Sequence, residues 1–125
     1  MRIKTSQVKS ELSKRSLLKF TQQTMPEFQS TEFHKTYYEV LNLFAEKKIK
    51  NLMVTIPPQH GKSTGSTIQL PAYILGRNPD TKIAVGSYSS TFAKKFNRQI
   101  QRLIDKKDYY SIFPETLLNE SNVVT

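Results

Sequence analysis

An apolar run, Leu52-Met-Val-Thr-Ile56, leads directly into Pro57-Pro-Gln-His-Gly-Lys-Ser63, and no other stretch restricts the fold of this chain so strongly. Five residues rich in Val, Ile and Leu before a proline pair read as a β-strand. Gly61-Lys62-Ser63 then has the chemistry of a phosphate-binding loop. Glycine lets the backbone approach a phosphate, an ammonium reaches the β/γ-phosphates, and a hydroxyl can ligate Mg²⁺. The usual loop carries another glycine five positions before the one preceding lysine, and here that position is Ile56. The tripeptide alone is therefore weak, and context has to raise it.

Downstream, residues 63–75 read as a helix stopped by Gly76 and Pro79, with N–H groups at its start favouring an anion. Pro71 should bend that helix near Gln69-Leu70. A second strand candidate, Lys82-Ile-Ala-Val-Gly-Ser87, lies where a right-handed crossover returns a chain to a parallel sheet. The expected fold class is thus α/β: a partial P-loop NTPase with a parallel β-α-β core, preceded by N-terminal helices. Residues 1–25 are expected to form a basic helix or arm, and residues 26–125 the partial ATPase domain. A complete doubly wound domain needs more strands than these two.

Upstream, Val8, Leu12, Leu17, Leu18 and Phe20 give a loose helical pattern that Met25-Pro26 ends. A more regular helix begins at Ser30 or Thr31, with Phe33, Tyr37, Val40, Leu41 and Phe44 on one face, read as packing against the sheet. A third amphipathic helix runs from Ser89 or Ser90 to Asp105, with Phe92, Phe96, Ile100, Leu103 and Ile104 together. The chain has no cysteine and only His34 and His60, which leaves no disulfide framework and too few ligands for a thiolate or histidine zinc centre. No apolar run approaches the ~20 residues of a membrane span, so no membrane partner and a cytoplasmic location are expected.

A net charge of +9, from 19 basic and 10 acidic residues, attracts polyanions, and nucleic acid is the expected partner class. The excess gathers in residues 1–20 (Arg2, Lys4, Lys9, Lys14, Arg15, Lys19) and 94–107 (Lys94, Lys95, Arg98, Arg102, Lys106, Lys107). Basic residues on an amphipathic helix are, as often, only its solvated face.

Phe33-His34, the run from Asn51 to Ser63, Leu70-Pro-Ala-Tyr73, Leu75-Gly-Arg-Asn-Pro79, Ala84-Val-Gly-Ser-Tyr-Ser89, Phe92-Ala93 and Asn97-Arg98 together resemble the ATPase domain of the large terminase subunit of tailed bacteriophages, over roughly residues 26–110. In that family a Pro-Pro-Arg-His-Gly-Lys-Ser loop is common, so the missing first glycine becomes an expected feature.

The resemblance implies an ATP-driven motor that packages viral DNA in a bacterial host, works as a homo-oligomeric ring with a small terminase subunit and a portal, and carries a separate nuclease domain. By the same resemblance Lys62 is the catalytic residue at the phosphates and Ser63 the Mg²⁺ ligand. Pro58, Gln59, His60, Gly61 and Thr64 join them around ATP. Gln59 replaces an arginine frequent in the family, a loss of cationic stabilisation that Arg77 or Arg98 is left to supply. No apolar strand ending in paired acids follows, and Asp105-Lys-Lys-Asp108 reads as a solvated helix end. The expectation is a nucleotide-binding N-terminal portion of the motor, weakly active by itself. A non-catalytic DNA-binding protein with a relic loop, and a helicase-like P-loop ATPase, are the alternatives.

Overall fold

Capping chemistry sets the first helix boundaries. The computed structural model describes residues 5–57 and 64–118. Within them α1 (Thr5–Arg15) stops at Ser16, whose extended backbone and side-chain oxygen, 3.4 Å from Lys19 N, start α2 (Leu17–Thr24). The expected single N-terminal helix is therefore two. Helix α3 (Glu32–Ala45) begins at Thr31, whose N–H donates to His34 Nδ1 at 3.3 Å. It ends in a Schellman turn: Lys47 N–H bonds Phe44 O and Lys48 N–H bonds Leu43 O, both at 3.0 Å, with Lys47 at a φ of 63°.

After the irregular residues 51–57 the chain resumes in a π-helical segment, π1 (Thr64–Gln69), which runs directly into α4 (Leu70–Arg77). Pro71 explains the change at Gln69-Leu70: with no N–H it can donate neither to Thr67 O in an α pattern nor to Ser66 O in a π pattern. Helix α5 (Ser90–Ile104) and the short α6 (Lys107–Ile112) complete the fold. No helix among the described residues is long and apolar enough to cross a membrane.

The core is aromatic. Phe20 is fully buried and meets Tyr73, Tyr109 and Phe113 with ring centroids 5.5, 5.8 and 5.9 Å away, separations at which tilted rings attract beyond the area they bury. Tyr37, Tyr38 and Leu41 of α3 and Ile100, Leu103 and Ile104 of α5 close the sides. Gly76 lets α4 approach α6, because a Cβ there would fall inside the Phe113 ring. The buried Tyr109 hydroxyl donates to Ala72 O at 2.7 Å. Helix α1 is attached differently. Its Val8 and Leu12 face solvent, and it is held by buried Ser13, which donates to Gln23 Oε1 at 2.7 Å, and by Tyr73 OH donating to Lys14 O at 3.3 Å.

A polar chain also ties the helices together: Leu17 N–H to Asn42 Oδ1, Asn42 Nδ2 to Glu46, and Glu46 to Arg77 at 3.8 Å.

The α/β expectation is overturned. The described residues are helical or irregular, with no strand and no sheet. Residues 51–57 are irregular, and Leu52, Val54 and Ile56 are half-buried while Met53 and Thr55 face out, the alternation of a one-sided strand. Residues 82–87 are irregular too, and exposed. Neither stretch has a backbone hydrogen bond to a neighbour among the described residues. A strand is defined by a ladder between two segments, and side-chain alternation supplies only one half of that condition. The aromatic face of α3 accordingly packs on π1 and its helical neighbours in place of a sheet.

Candidate functional site

Pro58, Gln59, His60, Gly61, Lys62 and Ser63, the centre of the expected phosphate loop, lie outside the described residues, and Thr64 enters only as the first backbone position of π1. What the structure shows is how the segment immediately after the loop is anchored. Gly65 is buried, and a Cβ on it would stand 2.8 Å from Tyr37 Cε1 and 3.3 Å from the Tyr38 hydroxyl. Only glycine lets π1 lie this close to α3 without moving those rings.

Ser66 hydrogen-bonds the Tyr37 hydroxyl, which partly offsets the upward push of burial on that group. Gln69, almost wholly buried, lies 3.3 Å from the Thr24 hydroxyl of α2, and Lys106 Nζ donates to Thr24 O at 3.4 Å. Helices α2 and α3 thus converge on the segment that follows the loop, and Lys106, at the start of α6, ties down the end of α2.

Tyr38 is the most constrained member of this wall. Its ring is buried, and burial lifts its hydroxyl to about 12. Thr21 Oγ1 is buried as well and interacts with the Tyr38 hydroxyl, which partly offsets the push of burial, but neither hydroxyl makes a well-formed hydrogen bond among the described residues. Sequence reasoning assigned Tyr37 to a packing face and passed over Tyr38, Thr21, Thr24 and Gln69. Their signal is three-dimensional: small hydroxyl residues on α2 and an amide on π1 meet only once three helices are assembled.

On the outer side of π1 and α4, a cleft of about 560 Å³ opens between Ser66, Thr67 and Pro71 and the irregular residues 81–86. Ile83 and Val85 from that stretch also face α5 across a second cleft, beside Ala93 and Ile100.

The two arginines left to replace a loop cation are placed by the structure. Arg77 donates to Tyr73 OH at 3.3 Å, lies over the Tyr73 ring and reaches Glu46. It ends α4, roughly 15–20 Å along the helix axis from Thr64. Arg98 is exposed on α5. Asp105 caps the C-terminus of α5 in solvent, as its sequence context indicates. Among the described residues no group of three His, Cys, Asp or Glu side chains is gathered as a metal site would require.

Of the two basic regions, the α1 side is partly engaged, with Lys14 paired to Glu11 at 3.0 Å. The α5 side is free: Lys94, Lys95, Arg98 and Arg102 are exposed and make no ion pair among the described residues.

A family model described as "Terminase large subunit, T4likevirus-type, N-terminal" matches residues 53–123, more than half of the chain, beginning inside the apolar run and passing through Gly61-Lys62-Ser63. No curated protein and no solved structure matches.

Proposed function

The chain belongs to the T4-like N-terminal family of large terminase subunits, and from that premise we propose that it is the nucleotide-binding N-terminal portion of an ATP-driven DNA-packaging motor. The observation that carries the proposal is the overlap of the family match with Gly61-Lys62-Ser63. The donor set suits Mg-ATP: an ammonium for the β/γ-phosphates, a hydroxyl for the metal, and a glycine that admits the phosphates to the backbone.

In this reading Lys62 holds and polarises the phosphates, Ser63 orders Mg²⁺, and Pro58, Gln59, His60, Gly61 and Thr64 shape the loop. Bound Mg-ATP supplies the phosphoryl transfer that drives movement of DNA. Gly65, Ser66 and Gln69 hold the following segment against α2 and α3 and so fix where the loop ends.

Turnover by this chain is expected to be slow. Gln59 is uncharged, Arg77 is committed to Tyr73 and Glu46, and Asp105 is a solvated helix cap. In the motor, double-stranded DNA, a small terminase subunit and a portal are the partners, the subunits form a ring, and the bacterial cytoplasm is the setting.

The test is a titration of Mg-ATP into the chain and into Lys62→Ala, following binding and phosphate release together. Binding that the substitution abolishes, with little release from either protein, is the expected result. A parent chain that binds no nucleotide overturns the proposal and leaves the loop a relic.

A further inference from the structure

Helix α5 carries four cations and no acid, and the aromatic seam that leads into it is exposed at Tyr88 and Phe92 while Phe96 is half-buried. Tyr88 is 91% exposed and Phe92 39%. Their rings lie 5.4 Å apart, and Phe96 follows at 6.4 Å. At about 100° per residue, Lys95, Arg98 and Arg102 fall on one stripe about a quarter-turn from that seam, spanning about 10 Å of axis. All three are exposed and make no ion pair among the described residues. The aliphatic cleft with Ile83 and Val85 lies toward the other flank, at Ala93 and Asn97.

A row of unpaired cations beside exposed ring faces matches a strand that offers phosphates and unpaired bases together. A duplex offers this face only its phosphates, because pairing and stacking hide the base surfaces. An acidic peptide would use the cations and leave the flat rings without a stacking partner.

We propose that the face of α5 formed by Tyr88, Phe92, Lys95, Arg98 and Arg102 binds single-stranded DNA, with phosphates along the cations and bases stacked on the two rings. This goes beyond the packaging reading, in which the cargo is duplex, and needs no nucleotide.

The experiment measures fluorescence anisotropy of a labelled oligothymidylate and of a duplex of equal length against the whole chain, without ATP, across a salt series. A polyglutamate peptide serves as competitor. The single strand is expected to bind about tenfold or more tightly than the duplex. Tyr88→Ala with Phe92→Ala should weaken strand binding roughly 10- to 100-fold while leaving duplex affinity in place. Lys95→Gln with Arg98→Gln should weaken both ligands and lower the salt slope for the strand by about 1.4. Tyr88→Ala alone, at a side chain almost wholly in solvent, gives the same direction of effect free of any folding defect.

Equal affinity for strand and duplex with no response to Tyr88 or Phe92 overturns the proposal. So does the absence of any strand binding, and so does polyglutamate displacing the strand at matched charge, which would mark the face as one for an acidic protein. Lys62→Ala, which tests the nucleotide reading, is expected to keep full affinity for the strand, so the two proposals fail separately.

Discussion

Two aromatic groups in this molecule share almost the same ring spacing and opposite surroundings. Tyr73, Tyr109 and Phe113 meet Phe20 at 5.5–5.9 Å, and none of the four is more than 6% exposed. Tyr88 and Phe92 meet at 5.4 Å in solvent. The first group is covered because α4 and the α6 region bring rings onto Phe20 of α2, so each covers the others. The second lies along the near end of one helix, next to an irregular stretch that contributes no cover. Ring spacing therefore says little about role. What decides it is the number of elements that converge.

The widest predicted gap between the two groups comes from the same substitution made in each. Phe20→Ala removes a fully buried ring that touches three others and is expected to cost about 3–5 kcal/mol, enough to unfold much of a marginally stable chain. Phe92→Ala, on an exposed face, is expected to stay within about 0.5 kcal/mol. Urea unfolding followed by circular dichroism measures both. Equal losses would mean that Phe92 is covered in solution and that the α5 face is not free.

What could be read from the sequence follows the same division. Helices α3 and α5 were legible because their apolar residues repeat at helical spacing, and Ile100, Leu103 and Ile104 are indeed buried. The family was legible around Gly61-Lys62-Ser63, through which the family match runs, while the chemistry of those residues stays with the proposal. The sheet was misread because Leu52-Val54-Ile56 alternates as a strand does, while a ladder also needs a partner that local sequence does not contain. The break at Ser16 was missed because Leu12 and Leu17 look equally apolar. Only assembly shows that Leu17 is buried and Leu12 is in water. Tyr38, Thr21 and Gln69 were missed because buried polar contacts join residues far apart in the chain.

Alkaline titration sharpens the contrast at intermediate size. Burial raises Tyr38 to about 12 from an ordinary 10.0, and it raises Tyr37, Tyr73 and Tyr109 as well. Below pH 10 the folded and unfolded chains both keep these protons, so the stability they allow is complete. Between pH 10 and 12 the unfolded chain releases protons that the folded protein retains, and stability falls as pH rises. For Tyr38 the loss is on the order of 2 kcal/mol across that window. Tyr38→Phe removes a hydroxyl that interacts with Thr21 but makes no well-formed hydrogen bond among the described residues. It should leave stability at neutral pH within about 1 kcal/mol of the parent and make the alkaline decline shallower. A Tyr38→Phe profile that overlays the parent would mean that Tyr38 ionises as freely as an exposed tyrosine.

The smallest effect is expected at the corner where the buried region hands over to the irregular one. Lys47 closes α3 with a φ of 63°, and the N–H groups of Lys47 and Lys48 satisfy the carbonyls of Phe44 and Leu43. A residue with a Cβ is strained in this left-handed conformation and glycine is not, although glycine gives up more backbone freedom on folding. Lys47 is also exposed and absent from the ion pairs of this corner, where Glu46 is held by Lys48 and Arg77. Lys47→Gly should therefore stabilise the chain by about 0.5–1 kcal/mol, seen as a higher midpoint of thermal unfolding. The gain belongs to the helical side alone: amide exchange in residues 51–57, which make no backbone hydrogen bond to a neighbour among the described residues, should not slow. A slowing there would show that the turn and the irregular segment open as one unit, and that the boundary between covered and uncovered regions lies beyond Lys47.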